Sequence, residues 1–150
     1  NKEYIYVSMD VNGLKTVNDT FGHEAGDELI KGASNCMCKI FGSYGKVYRT
    51  GGDEFAAVLC DCGENPETIR EAFHKEIKKW SGSIIKSLTI SCGYVHKSEF
   101  PDMSVTEIAQ IADRRMYEEK SCYYENYFSC RQRISEAPFF VDKKIRQGIL

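Results

Sequence analysis

Apolar residues alternate with period two in some stretches of the chain and recur every third or fourth position in others. Tyr4-Ile5-Tyr6-Val7-Ser8-Met9, rich in β-branched and aromatic residues, predicts a central buried strand. Leu14, Val17 and Phe21 are spaced for a short helix over 12–21 with one buried face, broken at Gly22-His23. A longer helix is predicted from Glu24 to about Phe41, with Leu29, Ile30, Ala33, Cys36, Met37 and Ile40 as its apolar stripe. Gly45–Tyr48 and Phe55–Leu59 read as two strands of a hairpin around Gly51-Gly52. Two glycines between β-type runs predict a tight primed turn, whose positive φ glycine adopts at no steric cost. Pro66 suits a first helical position, opening a helix through Trp80 that buries Ile69, Ala72, Phe73, Ile77 and Trp80. A strand over 86–94, a helix from Val105 to about Ser121 with Ile108, Ile111, Ala112, Met116 and Tyr117 inward, and a last strand over 123–128 complete the pattern. The order βααββαβαβ predicts an α+β fold, a mixed, largely antiparallel central sheet flanked by helices.

Length changes this picture little: 150 residues suit one domain with a real core. The domain is assigned to 1–128. In 129–150 the character shifts, with Arg131, Arg133, Lys143, Lys144 and Arg146 around Pro138-Phe139-Phe140-Val141, so this tail reads as a linker or the start of another module. A strand opening at the fourth residue suggests that a preceding segment lies outside the sequence. The formal net charge of −2 gives no reason to expect a nucleic-acid binder or a membrane-surface protein. No apolar run approaches the roughly 20 residues that span a bilayer, and nothing resembles a signal peptide; a cytoplasmic location is expected. The seven cysteines include two C-x-C pairs but no C-x-x-C. Buried thiols are the first reading, because several lie in apolar periodic segments, and zinc is the second.

Three features carry candidate chemistry. Asp10 ends the first strand, a common place for a functional carboxylate but equally one where an aspartate caps the next turn. Asp53 and Glu54 follow the two glycines, where exposed backbone lets a bulky anion approach beside possible metal ligands. Asn18 and Asp27 flank the helix–turn–helix corner, and spacing alone fits ordinary caps.

Taken together, Asp10-Val11-Asn12-Gly13-Leu14-Lys15, Val17-Asn18-Asp19, Phe21-Gly22-His23, Gly26-Asp27 and Arg49-Thr50-Gly51-Gly52-Asp53-Glu54-Phe55 resemble the GGDEF family of diguanylate cyclases, over about Tyr4 to Lys120. The resemblance implies a palm-like nucleotidyl cyclase fold and the joining of two GTP molecules into cyclic di-GMP with release of two pyrophosphates. It also implies side-chain ligands Asp10 and Asp53 and the Val11 carbonyl for magnesium or manganese, which favour oxygen donors. Asp53 and Glu54 would share proton acceptance and metal recruitment; strand alternation suggests that they face opposite ways and differ in duty. Asn18 and Asp27 would read the guanine edge, and a carboxylate there is selective because adenine lacks the matching donors. His23 would lie near the same pocket, Lys15 and Lys120 would bind phosphates, and Gly51 and Gly52 would allow close approach of the nucleotide.

The resemblance further implies that a homodimer is needed, since each domain offers one GTP site and the product is twofold symmetric. An upstream sensory domain is expected outside the sequence. Three positions depart from the family pattern. Tyr124 stands where an arginine is usual four residues beyond the helix lysine, with Arg114, Arg115 or the basic tail as possible replacements. Gly42-Ser43-Tyr44-Gly45 replaces the Arg-x-x-Asp of the product-inhibition site, so feedback through it is not expected. Asn12 stands where an acidic residue is common. The rival reading is a degenerate regulatory module that binds GTP without turnover. A module that binds no nucleotide and a single-substrate cyclase are lesser alternatives.

Overall fold

The computed structural model describes residues 2–60, 62–63 and 65–132. Strand β1 (Tyr4–Val11) leads into helices α1 (Leu14–Phe21) and α2 (His23–Phe41). The hairpin strands β2 (Gly45–Arg49) and β3 (Glu54–Cys60) follow, then α3 (Pro66–Lys79), β4 (Ile90–His96) and the long helix α4 (Val105–Gln132). The sheet order is β2-β3-β1-β4, and all three pairings are antiparallel, so the parallel component allowed for in a mixed sheet is absent among the described residues.

Alternation along β1 sorts its side chains between two layers. Ile5, Val7, Met9 and Val11 join the main core with α1, α2 and α3, where Phe41 and Phe73 meet at 4.5 Å between ring centroids. The opposite face carries Tyr6, Ser8 and Asp10 under α4, beside a smaller cluster of Val95, Ile108, Ile111 and Ala112. Gly93 is the seat of that helix: a Cβ there would lie 2.0 Å from the Ala112 carbonyl oxygen.

Edge strand β4 is covered by side chains of α4. Arg115 Nη1 donates to the Tyr94 carbonyl at 2.6 Å, and the Glu119 carboxylate accepts from the Cys92 N–H. One helical turn rises about 5.4 Å and two strand residues about 6.7 Å, so one arginine and one glutamate reach successive outward groups of the strand.

Four expectations are corrected. The run 123–128, expected as strand, is part of α4. No glycine or proline interrupts the chain between Tyr117 and Phe128, and Tyr123 packs on the main core, so tertiary contact overrides aromatic β-propensity. The strand expected from Lys86 starts at Ile90, because its partner β1 ends at Val11, opposite Ile90, where the chain turns into α1. Tyr117 is 67% exposed, since Met116 takes the inward position and the next residue turns away. Gly51 and Gly52 lack positive φ; among the described glycines Gly13 (φ 78°) and Gly22 (φ 87°) have it. Helix α4 also runs across the boundary expected at 128, and residues 133–150 of the expected tail lie outside the described residues. Of the six described cysteines, Cys36 and Cys92 are buried and Cys38 and Cys122 exposed, so the buried-thiol reading holds for only part of the set.

Candidate active site

The hairpin tip is built by backbone bonds rather than by a two-residue turn. Glu54 carbonyl accepts from the N–H groups of Thr50 and Gly51, at 2.9 and 3.3 Å. Arg49 folds back over the tip, donating from Nη2 to the Gly52 carbonyl at 2.6 Å and from Nε to Gly51 at 3.1 Å. Sequence reasoning gave Arg49 no duty, although it sits in the same motif. The tip is stitched to the end of β1 by Val11 N–H donating to the Asp53 carbonyl at 2.9 Å.

This stitching brings the acids together. Asp10 is directly opposite Glu54 in the β1–β3 register, and carboxylate oxygens of Asp10, Asp53 and Glu54 all lie within 4.8 Å of one another. Asp53 precedes β3, so alternation does not send it away from Glu54 as expected. Asp10 is 3% exposed, Asp53 half-buried and Glu54 exposed. Lys120 of α4 donates to Asp10 Oδ2 at 3.0 Å, while Asp10 Oδ1 is buried without a hydrogen-bond partner. Burial above all pushes the Asp10 carboxyl above its ordinary range; the Lys120 bond pulls it down, and the charges of Asp53 and Glu54 push it further up. For Lys120, burial alone would lower the pKa, but the bond to Asp10 and its charge outweigh that and hold it above the usual value.

Three clustered carboxylates with one ammonium, and a buried carboxylate oxygen lacking a donor, are a set that a hard divalent cation would complete. The donors are oxygens, as magnesium and manganese prefer. Among the described residues no cysteine joins such a group.

Asn12-Gly13 links the end of β1 to α1. Asn12 is 2% exposed, accepting from Ser91 Oγ at 3.0 Å and donating its N–H to the Thr89 carbonyl at 3.0 Å. It anchors the turn to β4, a task that the sequence comparison with an acidic residue did not suggest. Asn18 follows on α1, half-buried, and its Oδ1 is buried without a partner. Gly26 of α2 makes the room: a Cβ there would stand 1.8 Å from Asn18 Oδ1. Asp27, next along α2, is exposed, as are Lys15 on α1 and His23 at the start of α2. The structure thus joins Asp10, Asp53, Glu54 and Lys120 in one cluster and sets Asn18 beside Gly26 on the α1–α2 corner. Arg115 is excluded as a substitute for the arginine missing at position 124, because Tyr94 and Glu99 engage its guanidinium.

Residues 1–123 match the family model described as "Diguanylate cyclase, GGDEF domain". The chain belongs to the GGDEF family. Over 115 residues it is 39% identical to the probable diguanylate cyclase DgcI of Escherichia coli K12, covering 75% of this chain and 24% of that protein. It is 36% identical over 115 residues to the diguanylate cyclase DosC of the same strain, covering 73% of this chain and 24% of DosC. The chain therefore spans about a quarter of the length of these curated relatives. Its GGDEF fold is also that of the DgcB domain from Caulobacter crescentus, solved with c-di-GMP (TM-score 0.68, 22% identity, 80% of this chain and 73% of that one). The active GGEEF domain of a Vibrio cholerae diguanylate cyclase compares equally well (TM-score 0.69, 21% identity, 80% and 78%).

Proposed function

We propose that this GGDEF domain is a diguanylate cyclase, condensing two GTP into cyclic di-GMP across a head-to-tail pair of domains. The carrying observation is the convergence of Asp10, Asp53 and Glu54 within 4.8 Å, with a buried Asp10 oxygen that lacks a donor. Asp10, Asp53 and the Val11 carbonyl would hold magnesium or manganese, which when bound neutralises phosphate charge and activates a 3′-hydroxyl. Glu54, exposed beside them, is positioned to accept the hydroxyl proton, with Asp53 as the alternative acceptor. Asn18 and Asp27 read the guanine edge beside His23, and the unpartnered Asn18 Oδ1 supports that duty. Lys15 and Lys120 bind the triphosphate. Gly52 leaves its surroundings open, with no atom within 4 Å of an added Cβ, so a nucleotide can approach the main chain there together with Gly51.

Each 3′-hydroxyl attacks the α-phosphate held by the opposite domain, so positioning and charge stabilisation supply most of the rate. No described helix is long and apolar enough to cross a membrane. A cytoplasmic site, where GTP is found, with regulation by a sensory domain upstream, completes the reading. The second reading, a GTP-binding module without turnover, is favoured by Tyr124 at the arginine position and by the engagement of Arg115 elsewhere. Incubating concentrated protein with GTP and magnesium and resolving products by mass separates the two. Cyclic di-GMP rising more than linearly with protein concentration is expected; bound but unchanged GTP would favour the regulatory module.

A further inference from the structure

We propose that Lys120 is the resident counter-ion of Asp10 and opposes divalent-cation binding until a triphosphate draws its ammonium away, coupling metal entry to nucleotide entry. The inference rests on the proposed metal site. Its ground is the pairing of the two side chains at 3.0 Å, the ammonium occupying one oxygen of an aspartate whose side chain is 4% exposed. A divalent cation held by Asp10 and Asp53 would share the Asp10 carboxylate with the ammonium, and like charges a few ångströms apart repel strongly in a partly buried site.

The lysine can leave without moving its helix. Its four-carbon stem is flexible, and its side chain is 25% exposed, so a path to solvent exists. The helix itself is pinned one residue earlier, by Glu119 on the Cys92 N–H, and a turn before that by Arg115 on the Tyr94 carbonyl. A triphosphate offers the ammonium a larger negative charge at the open side of the site. Once it is taken up, Asp10 is freed for the cation.

The test is nucleotide-free Mn2+ binding at pH 8, by titration of free Mn2+ and by the thermal shift it causes, in the full chain and in Lys120→Met, Lys120→Gln and Lys120→Arg. Removing the charge should tighten Mn2+ about tenfold or more in the first two variants. Lys120→Arg should stay at the weak wild-type affinity. GTP binding in EDTA should weaken in Met and Gln variants, since the ammonium is then missing from the phosphates. Equal or weaker Mn2+ binding in a folded Met or Gln variant would overturn the coupling while leaving the metal site standing. Mn2+ binding by neither wild type nor variants at millimolar concentration would overturn the metal site and the coupling with it.

Discussion

Gly26→Ala tests the base recognition proposed for Asn18 apart from folding. An added Cβ would stand 1.8 Å from Asn18 Oδ1, 2.8 Å from its Cγ and 3.2 Å from a Leu14 methyl. The two closest atoms are the end of a rotatable side chain, so Asn18 swings out before α1 and α2 separate. Alanine in a helix interior gains about 1 kcal/mol over glycine, while residual crowding costs about 1–3 kcal/mol. The net is a loss of at most about 2 kcal/mol, so melting should fall by several degrees at most. Losing the hydrogen bond proposed from Asn18 to the base, about 0.5–1.5 kcal/mol, should weaken GTP by roughly 2–10-fold. Calorimetric titration of GTP into wild type, Gly26→Ala, Asn18→Ala and the double variant measures this as a cycle. Gly26→Ala should add almost nothing in the Asn18→Ala background. Unchanged GTP affinity in Gly26→Ala, or fully additive losses, would refute the argument that Gly26 exists to house Asn18.

Gly93→Ala should behave in the opposite manner. Its Cβ would meet the backbone oxygen of Ala112 at 2.0 Å and the Met116 nitrogen at 2.5 Å, neither of which can rotate away. A loss of about 1–3 kcal/mol or more is expected, read as a melting temperature several degrees lower. Asp53→Asn should abolish cyclic di-GMP synthesis while the fold melts at or slightly above the wild-type temperature, because a charge that pushes on Asp10 is removed; retained synthesis would count against its metal duty. For Glu119, burial raises the carboxyl pKa, while Arg70 and the Cys92 N–H pull it down without cancelling the rise. A raised carboxyl favours the folded state at low pH and loses that contribution as pH rises through its folded pKa. Glu119→Gln, whose amide oxygen still accepts from Cys92, should therefore be more stable than wild type at pH 8. The advantage should vanish below about pH 4, the ordinary glutamate range; melts across pH check this.

The sheet, both central helices and the acidic hairpin were legible because their signals are local. Period-two runs, a 3.6-residue stripe and a dense motif each report on nearby residues. Gly13 and Gly22, rather than the paired glycines of the tip, turned out to need positive φ. The tip is instead shaped by Arg49, whose contacts to Gly51 and Gly52 no propensity encodes. Likewise the start of β4 depends on where its distant partner β1 ends, opposite Ile90, which the local pattern of 86–89 does not encode. Tyr123 and Tyr124 carry strand-forming side chains, yet the helix continues through them, since nothing between Tyr117 and Phe128 breaks it. At the site, Asp10 and the two hairpin acids were found by motif. Their ion pair with Lys120 and the burial of Asn12 depend on how α4 and β4 pack against β1.

The way β4 is covered has a bearing on solubility. An uncovered edge strand invites another chain to add to the sheet, the route to strand-swapped dimers and fibrils. Here two side chains one helical turn apart stand where a further strand would bond, satisfying a carbonyl and an N–H that would otherwise recruit one. The opposite edge, β2, has Lys46 and Arg49 exposed along it, charges that disfavour stacking of a second copy. Protection of β4 thus resides in Arg115 and Glu119 rather than in the backbone. A variant losing both would keep the Asp10, Asp53 and Glu54 cluster intact and still expose a sticky rim, and should precipitate at concentrations where the wild type stays in solution.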